Sequence, residues 1–196
     1  MKKLVLYTAV FSSLLAGYGC STKKGSDNAA MKANEERIDN QSVALSDEAR
    51  KDAKNVAEAL VELSSMSMTE TELSREALQR ATNPQVKALA QRIVTEHQQM
   101  QQELQELATQ LNVTLPTALS RKGQDRVEDL KDQEAGTAFD RQYLKEIEEL
   151  NDSIVDYADD LSDDAPNDTV RKAARRMIDA NKELREQARQ LRNVLS

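Results

Sequence analysis

The chain has 196 residues, of which 31% are charged and only 3% are aromatic. Five glycines and three prolines among many Ala, Leu, Glu, Gln, Arg and Lys residues are typical of long helices, which argues against a sheet protein. Acidic residues outnumber basic ones by 34 to 27, which argues against nucleic acid as a partner. We therefore expect an all-α protein whose core is aliphatic and rich in alanine.

Residues 1–19 differ in kind from the rest of the chain. Lys2 and Lys3 precede an apolar, uncharged run from Leu4 to Leu15, which is too short to span a bilayer comfortably. A short positive region followed by an apolar run predicts a secretory signal rather than a transmembrane helix.

The end of this segment resembles a bacterial lipoprotein signal. Cys20 is the only cysteine of the chain, and Gly19 fits the small residue that precedes the cleavage site, although Tyr18 and Gly17 depart from the usual pattern. The resemblance implies that the cleaved chain begins with Cys20 carrying lipid, palmitate included. Ser21 then implies delivery to the outer membrane of a Gram-negative bacterium. The alternative is that Cys20 is an ordinary small residue with a free thiol.

Residues 20–45 are polar and mixed in charge, with no sustained apolar periodicity, and predict a flexible tether. Removal of residues 1–19 leaves 25 basic against 34 acidic side chains, a formal charge of about −9. The predicted organisation is therefore a signal peptide over 1–19, a tether over 20–45 and a helical bundle over 46–196.

Local signals predict the first two long helices. Ser46 followed by two acids is a good start for a first helix that runs to about Ala81. Asn83 is expected to cap a second helix that Pro84 opens and Asn112 ends, because proline fits the first helical turn. The two helices should form a tight antiparallel hairpin.

A connection over 113–136 separates this hairpin from the next one and has enough Val and Leu for one short helix over 124–132. Thr137 is expected to cap a third long helix that ends at Leu161, and Asp168 a fourth. Two hairpins joined by one long crossover predict a ferritin-like four-helix bundle, with the crossover between the second and third helices.

The predicted inner faces place one polar residue near the middle of each helix: Glu70, His97, Asn151 and Asn181. Buried polar groups need partners, so these four side chains are expected to form a core network that fixes helix register. The alternative is a mononuclear metal or ligand site centred on His97. A dinuclear site is disfavoured, because Val94 replaces the glutamate of a Glu-x-x-His pattern and the chain has no second histidine.

Short runs at residues 68–74, 79–81 and 83, 86–92, 96–97, 115–116 and 139–143 carry a family resemblance. They resemble the DUF4142 family of bacterial envelope proteins, a domain of unknown function with a ferritin-like fold. The similarity extends over about residues 55–192. Relatives commonly carry an Asp-His pair in the third helix and a histidine in the fourth. Leu150 and Asn151 occupy the positions of the pair here, and residues 181–184 lack the histidine, so the resemblance implies a weakened metal role.

Two further patterns have alternative interpretations. Methionines at positions 66, 68, 100 and 177 suggest either copper(I) handling beside His97 or adaptable core filling, and the second is expected. The predicted fourth helix carries a basic band facing an acidic third helix, which indicates charge complementarity or an anionic envelope surface as a partner. The basic band consists of Arg171, Lys172, Arg175, Lys182, Arg185, Arg189 and Arg192.

The sequence offers no catalytic constellation, because it has one histidine, no glycine-rich phosphate loop and no cysteine beyond Cys20. We therefore expect a non-enzymatic lipoprotein of the outer membrane that faces the periplasm, without a cofactor, as a structural or stress-related interaction module. The membrane, through the lipid, and envelope proteins are its expected partners. The alternative is a metal- or ligand-binding bundle centred on His97.

Overall fold

The computed structural model describes residues 25–41, 46–165 and 168–195, and this part of the chain is entirely helical, without a strand. Cys20 and the predicted signal peptide lie outside the described residues. No helix in the described part is long and apolar enough to cross a membrane. The helices are α1 (Ser26–Gln41), α2 (Asp47–Arg80), α3 (Pro84–Leu111), α4 (Arg121–Lys131), α5 (Thr137–Asp164) and α6 (Asp168–Val194).

The predicted start and stop signals of α2 and α3 are confirmed. The Ser46 side chain accepts a hydrogen bond from a backbone N–H in the first turn of α2. Asn83 caps α3 in the same way, and Pro84 occupies its first turn. Asn112 ends α3 in the left-handed conformation, with φ 55°, which asparagine tolerates better than most residues.

Several predicted boundaries differ from the structure. Helix α5 ends at Asp164 rather than at Leu161, and Asp168 is the first described residue of α6 rather than its cap. The N-cap of α5 is Gly136, whose φ of 134° excludes most side chains, and Thr137 is the first helical residue rather than the cap. The crossover helix α4 begins three residues before its predicted start, because Ser120 accepts a hydrogen bond from Gly123 N at 3.0 Å. A capping serine sets the start of this helix, whereas the apolar spacing indicated only its middle.

The prediction of a flexible tether over 20–45 is wrong for Ser26–Gln41, which forms α1. This helix packs along α2 through Ala30, Asn34 and Ile38, all of which are buried. Asn34 Nδ2 donates to the carbonyl oxygen of Thr114 at 2.9 Å, and Asn34 Oδ1 accepts from the Thr114 N–H at 2.7 Å. Few apolar residues hold α1 in place, so its burial depends on partners that are distant in sequence.

The four long helices α2, α3, α6 and α5 pack in that order around a shared core. The start of α5 lies beside the end of α2, because the buried carboxylate of Asp140 accepts hydrogen bonds from Thr82 N, Thr82 Oγ1 and Asn83 N. The crossover therefore runs the length of the bundle, as predicted, and α4 packs against α2 and α5 on the way. The largest fully buried core side chains are Tyr143, Phe139, Leu60, Leu63, Leu73, Ile93, Leu104, Leu130, Leu144, Ile147, Ile154 and Leu161.

Candidate functional site

All four polar residues predicted to face the core are buried. Glu70 and Asn151 are 0% exposed, His97 is 1% exposed and Asn181 is 2% exposed. They lie on α2, α5, α3 and α6 respectively, one on each long helix. The predicted inner faces are therefore confirmed at these positions.

Glu70, His97 and Asn151 form one cluster in the interior. His97 Nε2 lies 2.8 Å from Glu70 Oε2, which is an ion-pair distance. Asn151 Nδ2 donates to Glu70 Oε1 at 2.8 Å and also to the carbonyl oxygen of Ile147 at 2.8 Å. The carboxylate of Glu70, which lies on α2, thus contacts side chains of both α3 and α5.

His97 has a protein partner at each ring nitrogen. Its Nδ1 atom is hydrogen-bonded to Ser67 Oγ at 3.0 Å, and its Nε2 atom faces Glu70. The Ser67 hydroxyl also donates to the His97 carbonyl oxygen at 3.4 Å. The Ser67 hydroxyl is the part of the cluster that the sequence analysis did not include.

Asn181 does not join this cluster through a hydrogen bond. Its Nδ2 atom donates to the Met177 carbonyl oxygen of its own helix at 2.7 Å, and its Oδ1 atom has no hydrogen-bond partner in the described part of the chain. The four-residue network predicted from the sequence is therefore a three-residue cluster extended by Ser67. The side chain of Asn181 donates a hydrogen bond only within its own helix.

A second buried polar pair lies beside Glu70. Ser74 Oγ and Tyr143 Oη are hydrogen-bonded at 2.9 Å, and both side chains are fully buried. Burial raises the pKa of the Tyr143 hydroxyl far above its ordinary value, the hydrogen bond with Ser74 lowers it in part, and the Glu70 carboxylate adds to the rise. The sequence signal for this extension was the spacing of Ser67, Glu70 and Ser74, which share one face of α2.

Two oxygens of the cluster lack a partner with hydrogen-bond geometry among the described residues. These are Glu70 Oε2, despite its 2.8 Å separation from His97 Nε2, and Asn151 Oδ1. The Glu70–His97 separation is nevertheless that of a close polar contact between two buried side chains. In the described residues, no group of three or more His, Cys, Asp or Glu side chains is placed to share a metal ion.

His97 also lies at the base of two surface grooves. One groove, between α3 and α6, has a volume of about 370 Å³ and is also lined by Asn181. The other, between α3, α2 and the crossover, has a volume of about 720 Å³. The imidazole itself is almost inaccessible, so a ligand in either groove would meet its edge at most.

The four methionines considered for copper do not converge on one point. Met100 and Met177 line the same groove as His97, Met68 lines the other groove, and Met66 is buried in the core. A copper(I) site needs several soft ligands around one ion. Core filling therefore accounts for these methionines better than a shared copper site.

The predicted charge complementarity between α6 and α5 is confirmed at Arg185, which pairs with Asp152. Arg192 contacts both oxygens of Glu148 at 2.5 and 2.9 Å, an acid of α5 that the prediction did not include. Each exposed pair contributes only about 0–1 kcal/mol. These contacts therefore favour the observed helix pairing more than they stabilise the fold.

A protein-family model described as Domain of unknown function (DUF4142) matches residues 40–191. Three solved structures with little sequence identity share the fold. A DUF305 fragment from Deinococcus radiodurans is 13% identical with a TM-score of 0.63, and the match covers 71% of this chain and 95% of that one. A DUF305 protein from Streptomyces coelicolor is 13% identical with a TM-score of 0.60, covering 69% and 89%.

A conserved hypothetical protein from Mycobacterium tuberculosis is 11% identical with a TM-score of 0.55, and the match covers 74% of this chain and 93% of that one. At these identities the likeness shows the fold alone. No curated protein matches the chain. Since the family model spans most of the sequence and the helical bundle agrees with it, the chain belongs to the DUF4142 family.

Proposed function

We propose that this protein is a non-enzymatic module of the Gram-negative cell envelope. In this proposal a lipid on Cys20 holds it at the outer membrane, and its helical bundle faces the periplasm as a structural or stress-related interaction module. The protein's partners are then the membrane, through the lipid, and other envelope components.

The observation that supports a non-enzymatic role is that both ring nitrogens of the buried His97 contact side chains of the same chain. Ser67 Oγ lies 3.0 Å from one ring nitrogen and Glu70 Oε2 lies 2.8 Å from the other. Engagement by a serine and a carboxylate does not by itself exclude a general base, but substrate or metal must be able to reach the ring, and His97 is 1% exposed while Ser67 and Glu70 are 0% exposed. The cluster instead links three helices, which suits a core network that fixes their register.

Support for the anchor comes from the sequence of the first 21 residues. A basic start, a short apolar run and a lone cysteine after Gly19 are typical of a lipoprotein signal. A lone cysteine in an exported chain has no intramolecular disulfide partner, so lipid attachment accounts for it well.

Metabolic labelling with radioactive palmitate tests the anchor in a Gram-negative host. The wild-type chain should incorporate label and fractionate with the outer membrane, whereas Cys20→Ala should incorporate none. Ser21→Asp is the matched control, because it should keep the label but move the protein to the inner membrane. A wild-type chain without label would refute the anchoring proposal.

A second candidate function is binding of a metal or small ligand centred on His97. It is favoured by Asn151 Oδ1, which has no hydrogen-bond partner among the described residues and lies in the same cluster as the imidazole. Elemental analysis of the full-length protein purified from membranes tests it. One equivalent of metal that disappears in His97→Ala would support this candidate against the first.

A further inference from the structure

Helix α1 is held on the bundle by a narrow strip of side chains. Its buried residues are Ala30, Asn34 and Ile38, which follow one another at intervals of four and share one face of the helix. Of its 16 residues, only Met31 and Ile38 are large and apolar. A surface helix of a globular protein usually buries about three or four apolar residues in every two turns. The apolar attachment of α1 is therefore weak for its length.

Hydrogen bonds to the crossover add to this attachment. The Asn34 amide exchanges two hydrogen bonds with the backbone of Thr114, at 2.9 and 2.7 Å. Ser26 Oγ accepts hydrogen bonds from Thr117 N at 2.9 Å and from Ala118 N at 3.3 Å. All three crossover residues are exposed, so water can take the place of these partners. Departure of α1 would therefore leave no buried polar group of the crossover without a partner.

The surface beneath α1 is separate from the central core. Ala57 and Val61 lie one turn apart on α2 and are 2% and 0% exposed. Like Ala30 and Ile38, they lie outside the hydrophobic cluster that the described residues of α2 to α6 form. Ala57 also lines a cavity of about 130 Å³ together with Asn34 and Ile38, so α1 and α2 pack incompletely. Removal of α1 would uncover a shallow apolar strip on α2 without opening the central core.

Two further observations indicate that α1 is a separable part of the fold. The family model matches residues 40–191, so the family's domain begins where α1 ends. Asp27 of α1 lies near Glu62 of α2, where burial first and Asp27 next raise the pKa of the Glu62 carboxyl and Lys122 lowers it in part. Carboxyl groups of the two helices therefore lie close together at one end of their contact.

We propose that α1 is a releasable strap over a docking groove that accepts an amphipathic helix of a partner protein. The groove consists of the strip on α2 around Ala57 and Val61 and the exposed backbone of Thr114. The partner helix presents a small residue, an amide and an aliphatic residue at intervals of four, because the buried face of α1 shows that this pattern fits. Since α1 must leave before the partner enters, the partner's affinity is reduced by the fraction of molecules that are open.

The inference gives the interaction role proposed above a surface and a class of partner, and it rests on that role. It requires neither the lipid on Cys20 nor a metal at His97. Failure of the palmitate test would leave the strap standing, and failure of the strap would leave the anchor standing.

Hydrogen–deuterium exchange of the full-length wild-type protein tests release. The amides of α1 should exchange at least about tenfold faster than the buried amides of α2, because α1 opens without the bundle. A saturating synthetic peptide of residues 26–41 should accelerate the exchange of α1 further, since the peptide occupies the groove whenever α1 has left. Equal exchange of α1 and α2, unchanged by the peptide, would overturn the strap.

A double variant, Asn34→Ala with Ile38→Ala, should keep α1 away from the groove. Fluorescence anisotropy should show that the labelled peptide binds this release variant at least about tenfold more tightly than it binds the wild type. Lys32→Ala with Glu36→Ala is the matched control, because both side chains are exposed on the outer face of α1. The control should bind the peptide as weakly as the wild type does.

A second peptide separates the pattern from the rest of the α1 sequence. It keeps Ala30, Asn34 and Ile38, replaces the exposed positions and should bind the release variant within a few-fold of the first peptide. A peptide with Asn34→Ala and Ile38→Ala should not bind. Binding of the α1 sequence alone would overturn the partner pattern and assign the groove to α1 of a second copy. A folded release variant that binds neither pattern-bearing peptide would overturn the groove, and the wild-type exchange decides the matter if that variant fails to fold.

Discussion

Loss of the His97 imidazole should destabilise the protein by far more than its size suggests. His97→Leu fills the place of the imidazole in the core with an apolar side chain. It leaves the Glu70 carboxylate, which is 0% exposed, with Asn151 Nδ2 as its one remaining donor in the cluster. Removal of one partner of a buried hydrogen-bonded pair typically costs about 1–3 kcal/mol, and more where the group left behind is charged, because that group stays buried without its partner. Against a total stability of about 5–15 kcal/mol, this is a large fraction.

Urea denaturation followed by circular dichroism measures the effect. A double variant, His97→Leu with Glu70→Gln, separates charge from packing, because the amide is neutral and still accepts from Asn151. It should be more stable than His97→Leu alone. Gln98→Leu, on an exposed neighbour, is the control and should change stability by no more than about 0.5 kcal/mol. A His97→Leu penalty below about 1 kcal/mol would refute the buried pair.

Three further changes test the packing and electrostatics of the body. Leu104→Ala should lower the free energy of unfolding by about 2–5 kcal/mol, because Leu104 is fully buried, and an unchanged urea midpoint would refute its place in the core. Gly123→Ala should destabilise the fold by about 1–3 kcal/mol, since the new Cβ would clash with Thr69 Oγ1, and Thr69→Ala should relieve most of that loss. Burial and the nearby Asp27 raise the pKa of Glu62 above its ordinary value of 4.5, so its stabilising contribution is present below pH 4.5 and is lost as the pH rises through the folded pKa. Glu62→Gln should therefore raise the unfolding free energy at neutral pH but not below pH 4.5, and an equal gain at both would contradict this assignment.

The parts of the fold that the sequence predicted correctly depend on local signals. Helix boundaries are set by residues that lie at the boundary itself: Ser46, the Asn83-Pro84 pair and Asn112. Each caps or ends a helix through its own side chain or backbone, so the neighbouring sequence is enough to predict it. Helix α1 lacks such a pattern. Its place depends on hydrogen bonds from Asn34 to the backbone of Thr114, 80 residues away, which no local periodicity encodes.

The candidate site was predictable in its membership but not in its connections. The helical stripes placed Glu70, His97 and Asn151 in the core, and the structure brings them together. Asn181 lies on the correct face, yet its amide turns back to the Met177 carbonyl, because a buried asparagine on a helix can satisfy itself one turn away. Such contacts depend on the exact axial rotation and register of each helix, and helical periodicity alone predicts neither.

The engagement of both His97 ring nitrogens can be measured directly, because His97 is the only histidine in the chain. Protein labelled with ¹⁵N-histidine should show one pair of imidazole nitrogen resonances in a long-range ¹H–¹⁵N spectrum. If Ser67 and Glu70 hold the ring, one equivalent of diamagnetic Zn²⁺ or Cu⁺ should leave both resonances unmoved and unbroadened. A shift or loss of either signal at one equivalent would show a nitrogen that is available to metal, and would contradict a closed core network.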